Sequence, residues 1–178
     1  MENLLQIPTS EATIRTNSIK TLMQEQGIDA ILISDNANKF YVSGRVYNGY
    51  TYIPSNGDAI HFIRRPIGLS GENVEYIHKL ENIAEILISE GQELPHSLGL
   101  ELDLAPYSVV QRIAKIFPDT KIANASGIMR QARSIKSEYE IELIRLSGIK
   151  HAKSYSQICD IYTPNMTDLE FQVEIERI

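Results

Sequence analysis

Apolar and polar residues follow one another along the chain in patterns that predict helices and strands in turn. From Ser10 to Gln26, apolar residues recur at helical spacing, and Gly27 follows as a left-handed C-terminal cap. Residues 28–34 are nearly all apolar, which is typical of a short strand covered on both faces. Further on, two strand-like runs are joined through Ser55-Asn56-Gly57, which predicts a β-hairpin with a type I′ turn.

The same succession continues to about residue 123. Helices are predicted over Asn36–Ser43, Glu81–Glu90 and Pro106–Phe117, and strands over Tyr50–Pro54, Asp58–Arg64, Val74–His78, Ser97–Leu102 and Lys121–Ala123. Strands separated by helices favour parallel pairing, whereas a hairpin requires an antiparallel pair. The predicted fold class is therefore α/β, with a mixed β-sheet flanked by helices.

The periodic pattern gives way to small and basic residues near positions 124–137, and a long amphipathic helix then begins. Ser137 and Glu140 have the S-x-x-E spacing of a helix capping box, and Thr167 and Glu170 repeat that spacing further on. We therefore predict three parts: a domain at 1–125, a linker at 126–136, and the first two helices of an incomplete second domain at 137–178.

Composition excludes several classes of function. The chain has 17 Lys and Arg against 23 Asp and Glu, a net charge of −6, so it lacks the basic character of nucleic-acid-binding proteins. No run reaches the roughly 18 apolar residues of a membrane span, and Met1 is not followed by a signal-peptide pattern. We therefore expect a cytoplasmic protein without nucleic-acid or membrane partners. The single cysteine, Cys159, lies on the apolar stripe of the long helix and is predicted to be a buried thiol.

Candidate catalytic and metal-binding groups are sparse. The four histidines have no metal-ligand spacing and stand far apart, at His61, His78, His96 and His151. The chain contains neither a G-x-S-x-G elbow nor a phosphate-binding glycine loop. Glu101 and Asp103 follow a strand end, where sites of α/β proteins often gather, but a structural role is the stronger interpretation. We therefore predict no catalytic residue, no metal site and no cofactor within this chain.

One segment between the short helix and the hairpin favours a binding role. It combines Arg45, Tyr47 and Tyr50, and tyrosine and arginine are enriched at binding hot spots. The alternative is that tyrosines simply pack in the sheet, as we expect for Tyr41 and for one of Tyr50 or Tyr52. We predict that Arg45, Tyr47 and Tyr50 line an interface or the rim of a substrate site.

Four segments resemble, in the same order, the front part of Xaa-Pro aminopeptidases, prolidases and creatinases. They are Gly27–Ile33, Asn38–Gly44 (N-x-x-Y-x-[ST]-G), Leu98–Glu101 and Arg133–Arg145 (R-x-I-K-S-x-x-E-I-x-x-I-R). The resemblance implies a creatinase-type N-terminal domain, followed by the first helices of a "pita-bread" metal-hydrolase domain. It also implies that the family's metal ligands, for divalent Mn, Co or Zn, lie beyond residue 178.

What the resemblance implies about function concerns the parent protein more than this chain alone. We expect the parent to hydrolyse Xaa-Pro peptides as an aminopeptidase or dipeptidase, and this 178-residue chain to be inactive by itself. We also expect a homodimer or larger homo-oligomer, in which the front domain contributes to association and to the active-site rim. Two alternatives stay open: a creatinase-type hydrolase of a small non-peptide substrate, and a non-catalytic interaction module.

Overall fold

A computed structural model of the protein describes residues 2–177 and contains two compact units. The first unit extends to Ile135, and the second begins at Lys136. The outer bounds predicted for the domains, at Met1 and Ile178, lie outside the described residues. The boundary between the units is thus at residue 135, not at residue 125.

The first unit is built on a mixed β-sheet. Its strands in chain order are β1 (Glu2–Asn3), β2 (Ala30–Ile33), β3 (Asn48–Pro54), β4 (Ile60–Arg65), β5 (Leu69–Ser70), β6 (Val74–Tyr76), β7 (Ser97–Leu100) and β8 (Lys121–Asn124). Six of them form one sheet in the spatial order β6-β4-β3-β2-β7-β8, and β1 pairs with β5 separately. Strand β3 is antiparallel to both neighbours, while the other pairs of the six-stranded sheet are parallel. The predicted mixed sheet is confirmed.

Helices cover both faces of this sheet. They are α1 (Thr9–Glu25), α2 (Asn36–Ser43), α3 (Asn82–Ser89), α4 (Tyr107–Ile116) and α5 (Ser126–Ser134). On one face, Ile31 of β2 belongs to a core cluster with Ile19 of α1 and Ile128 of α5. On the other face, Leu32 belongs to a cluster with Leu87 of α3. All four residues of β2 are buried because successive side chains enter opposite core clusters, which confirms the prediction of a strand covered on both faces.

The segment predicted as a linker at 126–136 is helical over most of its length as α5, so that prediction is wrong. Ile128, Met129 and Ala132 of this helix are buried in the core cluster that also contains residues of α1. The Tyr41 hydroxyl donates a hydrogen bond to the Ala132 carbonyl at 3.0 Å, which ties α5 to α2. Few positions of α5 are apolar, and polar and basic residues surround them in the sequence. The apolar periodicity that predicts a helix is therefore difficult to recognise here.

Two local predictions also differ from the structure. The hairpin between β3 and β4 forms, but its connection is not a type I′ turn, because Gly57 has a positive φ (97°) and Asn56 does not. In α1, Ile14 is one of the apolar residues at helical spacing, but it is 57% exposed. The buried positions beside it hold Glu11 and Arg15, whose side chains pair at 2.7 Å. Hydrophobic periodicity does not detect a buried pair of opposite charges.

The second unit consists of α6 (Glu138–Ile161) and α7 (Asp168–Glu176). Both helices begin with the predicted capping box, formed by Ser137 with Glu140 and by Thr167 with Glu170. Cys159 is exposed, so the prediction of a buried thiol is wrong, because the apolar stripe on which it lies is itself exposed. Among the described helices, none combines the length and the apolar character needed to cross a membrane.

Candidate functional site

A cavity of about 910 Å³ opens at one edge of the sheet. Because β3 is antiparallel to β2 and β4, the end of β2, the start of β3 and the end of β4 meet at this edge. The lining includes three cationic and two aromatic side chains together with a large apolar one: Lys39, Arg64, Arg65, Tyr47, Tyr50 and Ile67. No aspartate or glutamate of the described chain lines this cavity.

Lys39 is the buried cation of this cavity. Helix α2 begins at the N-cap Asp35 and places Lys39 one turn later, where it is only 3% exposed. The Lys39 Nζ donates hydrogen bonds to the carbonyl oxygens of Tyr47 (2.6 Å) and Gly49 (3.3 Å). Burial lowers the pKa of the Lys39 ammonium, and the more distant carboxylates of Glu101 and Asp35 oppose this effect.

Tyr47 also belongs to a buried polar cluster. Its hydroxyl is hydrogen-bonded to the Thr51 hydroxyl and lies 3.0 Å from Nδ1 of His61, and the Thr51 hydroxyl lies 3.2 Å from the same nitrogen. Burial lowers the pKa of His61 from 6.5 to about 4 and raises the pKa of Tyr47. Both side chains are therefore neutral near pH 7, and their mutual hydrogen bonds give His61 a structural role in the buried cluster.

The structure places the three predicted site residues in different environments. Tyr50 is half-buried, lines the cavity and packs against the core on the α3 and α4 side. Tyr47 borders the same cavity but is only 3% exposed, because its ring and hydroxyl belong to the buried cluster. Arg45 does not line the cavity; its guanidinium donates to the Glu2 carboxylate at 2.9 Å and lowers the pKa of that carboxyl. The segment therefore presents Arg45 and Tyr50 outward and Tyr47 inward.

Glu101, which directly follows the buried strand β7, organises the start of α2. Its carboxylate accepts hydrogen bonds from the backbone N–H groups of Ser34 (2.7 Å) and Asp35 (2.8 Å), and from the Asn38 side-chain amide (2.6 Å). The Oδ1 of the same Asn38 side chain accepts a hydrogen bond from the Arg133 guanidinium at 3.0 Å. These contacts give Glu101 the structural role favoured by the sequence, since they fix the turn that leads from β2 into α2.

The other candidate carboxylate has surface partners. Asp103 accepts from Arg130 at 2.6 Å and from Asn124 at 3.0 Å, and these hydrogen bonds lower its pKa. Within residues 2–177, no group of three or more His, Cys, Asp or Glu side chains is placed to hold a metal ion.

No sequence pattern identifies the cations of the cavity as a group. Lys39 and the Arg64-Arg65 pair are far apart in the chain and meet only because β4 ends at the sheet edge where α2 begins. One signal is present in retrospect. Lys39 precedes the buried Val42 by three residues on a short helix, so it occupies an inward-facing position.

Comparison with known protein families identifies the family of the first unit. Residues 15–135 match the creatinase/prolidase N-terminal domain family. The chain belongs to this family. The match ends at Ile135, which is also the last residue of the first unit, so the family domain includes α5.

Solved structures share this fold. The prolidase from Pyrococcus horikoshii is 25% identical with a TM-score of 0.73, over 92% of this chain and 47% of that one. The Xaa-Pro dipeptidase from Bacillus anthracis is 19% identical with a TM-score of 0.75, over 93% of this chain and 48% of that one. The N-terminal domain of the cytoplasmic peptidase PepQ from Mycobacterium tuberculosis is 22% identical with a TM-score of 0.55, over 66% of this chain and 97% of that one.

A curated relative is the ectoine hydrolase from Halomonas elongata. It is 23% identical in an alignment 187 positions long, which covers 90% of this chain and 46% of the relative. The chain therefore spans about half the length of the curated relative that it matches.

Proposed function

We propose that this chain is the N-terminal, non-catalytic portion of a metal-dependent Xaa-Pro peptidase of the aminopeptidase or dipeptidase type. The proposal rests on one observation: a first unit that matches the family is followed directly by a capped helix that opens a second unit. Two solved structures of the same fold support the substrate class, since one is named a prolidase and the other an Xaa-Pro dipeptidase.

In such a peptidase, a pair of divalent metal ions (Mn, Co or Zn) would activate a water molecule and polarise the scissile carbonyl. The metal ligands would come from a catalytic domain that continues from α6 and α7. The first unit would contribute to substrate access and to subunit association rather than to bond cleavage.

The apolar faces of α6 and α7 support this continuation. These helices expose large apolar side chains, among them Leu143, Ile144, Leu146, Ile149, Tyr155, Leu169 and Val173. Most of the stability of a helix in a protein comes from tertiary packing of its apolar face, and that face requires a covering element. We propose that the catalytic domain provides this cover.

The native polypeptide tests the proposal. An antibody raised against the chain should recognise, in the organism that makes it, a polypeptide of roughly twice 20.1 kDa, because the chain spans 46–48% of its relatives. The immunopurified polypeptide should hydrolyse an Xaa-Pro dipeptide when Mn²⁺ is added and should stop when the metal is chelated. A native polypeptide of about 20 kDa without this activity would contradict the proposal and favour a non-catalytic interaction module.

The ectoine hydrolase relative supports a second candidate, the hydrolysis of a small non-peptide substrate. The same immunopurified polypeptide should therefore be assayed in parallel with an Xaa-Pro dipeptide, ectoine and creatine at equal concentrations. Turnover of ectoine or creatine, without turnover of the dipeptide, would replace the peptidase assignment.

We also propose that residues 45–50 contribute to a homodimer or larger assembly and to the rim of a shared cleft. Tyr50 presents part of its ring at the cavity. Arg45 is held by Glu2, whose carboxylate is largely exposed, and such a pair is weak enough to exchange for a carboxylate of a substrate or subunit. Tyr47 would not contact the ligand or the partner subunit; its hydrogen bonds in the buried cluster would hold residues 45–50 in position.

A double variant tests this role in the native polypeptide. Arg45→Ala removes the guanidinium, and Tyr50→Phe removes a hydroxyl while keeping the ring packing. We expect a higher KM or a shift in sedimentation towards monomer, with thermal unfolding close to that of the wild type. The matched control is Arg130→Ala with Tyr107→Phe, which removes an ion-paired arginine and an exposed tyrosine hydroxyl elsewhere. Identical behaviour of the two double variants would refute the assignment.

A further inference from the structure

The cavity at the sheet edge is cationic in a protein whose net charge is −6. Lys39, Arg64 and Arg65 line it without an acidic neighbour in the lining. Among the described residues, none of these three forms an ion pair, whereas Arg112 and Arg130 each bind a carboxylate within 2.7 Å. Three unpaired cations around one cavity leave a local excess of positive charge that a bound anion would neutralise.

Lys39 has donor capacity left for such an anion. An ammonium group has three N–H donors, and the two carbonyls of Tyr47 and Gly49 accept two of them. Burial lowers the pKa of the Lys39 ammonium, and the carboxylates of Glu101 and Asp35 oppose this effect without forming an ion pair with it. An anion in the cavity would supply a third hydrogen-bond acceptor and a closer negative charge.

We infer that this cavity, which Lys39, Arg64 and Arg65 line, binds a small oxyanion, a carboxylate or a phosphate group. Guanidinium groups recognise the oxygens of both anions through paired N–H donors. At the mouth of the cavity, Val46 and Ile67 are 50% and 87% exposed, so the ligand is one whose anionic group carries an apolar portion. This site depends neither on the proposed peptidase activity nor on self-association.

A titration of the 178-residue chain followed by ¹⁵N–¹H NMR tests the site. Sodium phosphate and sodium butyrate are added in separate series, with ionic strength held constant by sodium chloride. We expect saturable shifts of the amides at Lys39, Tyr50 and Ile67. The variant Arg64→Gln/Arg65→Gln should bind roughly tenfold more weakly or worse, because it loses charge-assisted hydrogen bonds.

The matched control is Lys115→Gln/Lys121→Gln, which removes two positive charges from exposed positions outside the cavity. It should keep the affinity of the wild type, and both variants should unfold at nearly the wild-type temperature, because all four substituted side chains are exposed. Saturation with phosphate alone assigns a phosphate ligand, and saturation with butyrate alone assigns a carboxylate. Absence of saturable shifts with both anions, or equal weakening in the two double variants, would overturn the inference.

Discussion

Replacing Ile128 by alanine tests whether α5 belongs to the core of the first unit. Ile128 is fully buried and shares a core cluster with Ile19, Met23 and Ile31. The substitution removes three carbon atoms, each worth about 0.8 kcal/mol of transfer free energy, or about 2.4 kcal/mol together. The cavity left behind adds to this loss, so we expect a total of about 3 kcal/mol, within the range of roughly 2–5 kcal/mol for such substitutions.

The measurement is the hydrogen-exchange rate of the amides of β2 and β7 at increasing urea concentrations. These amides report only on the first unit, so unfolding of the second unit does not enter the signal. A loss of about 3 kcal/mol lowers the folding equilibrium constant roughly a hundredfold, a large part of the stability of a typical domain. Gln131→Ala is the matched control, because Gln131 lies on the same helix and is exposed. Alanine has a slightly higher helix propensity than glutamine, so the control should change stability very little.

The reasoning fails if Ile128→Ala, like Gln131→Ala, changes the free energy of unfolding very little. That result would mean that α5 does not pack against the core in solution, and it would support the prediction of a linker at 126–136. If both variants lower stability by about 3 kcal/mol, the helix itself rather than its buried face would be the sensitive feature.

Three further predictions concern the core and the unit boundary. Glu101→Gln should lower the free energy of unfolding by about 1–3 kcal/mol, because an amide NH₂ would face backbone N–H donors. The control is Glu93→Gln at an exposed position, and equal urea midpoints for the two variants would contradict the prediction. Burial lowers the pKa of His61 from 6.5 to about 4, so the unfolded chain binds this proton first as the pH falls. The contribution of this group to the free energy of unfolding should be complete above pH 6.5 and should fall by roughly 3 kcal/mol towards pH 4. In His61→Asn, the free energy of unfolding should fall less steeply over the same pH range. An NMR titration in which the His61 ring changes protonation near pH 6.5 would refute this. Trypsin should cut first at Lys136, at the unit boundary, and later at Arg130 within α5. Mass spectrometry identifies the earliest fragments, and cleavage at Arg130 before Lys136 would contradict the prediction.

Much of the fold was predictable because periodicity and capping report on local structure. The bounds of α2 agree with the prediction, Gly27 has the expected left-handed conformation (φ 64°), and both capping boxes form. Helix α5 was missed for a physical reason. Three of its four buried residues are apolar and one of these is an alanine, the residues around them are polar or basic, and its burial depends on the distant helix α1.

The environment of the tyrosines was predictable only in part. Tyr41 and Tyr52 are buried, as expected. Whether Tyr47 faced inward could not be read from the sequence, since its burial depends on Thr51 of the same segment and on His61, which reaches it only through the pairing of β3 with β4. A Cβ at Gly49 would lie 2.0 Å from the Phe62 carbonyl oxygen. This glycine therefore permits close approach of two strands rather than motion.

The scaffold and the cavity are linked through α2. Glu101 fixes the turn before this helix, and the helix places Lys39 against the carbonyl oxygens of β3. If this link is correct, Glu101→Gln should weaken anion binding as well as stability, because the Lys39 ammonium would lose its fixed position. Arg64→Gln/Arg65→Gln should weaken anion binding alone, because both arginines are exposed. The two variants thus separate a residue that builds the cavity from residues that contact its ligand, and loss of stability in the arginine variant would show that the cations serve the fold.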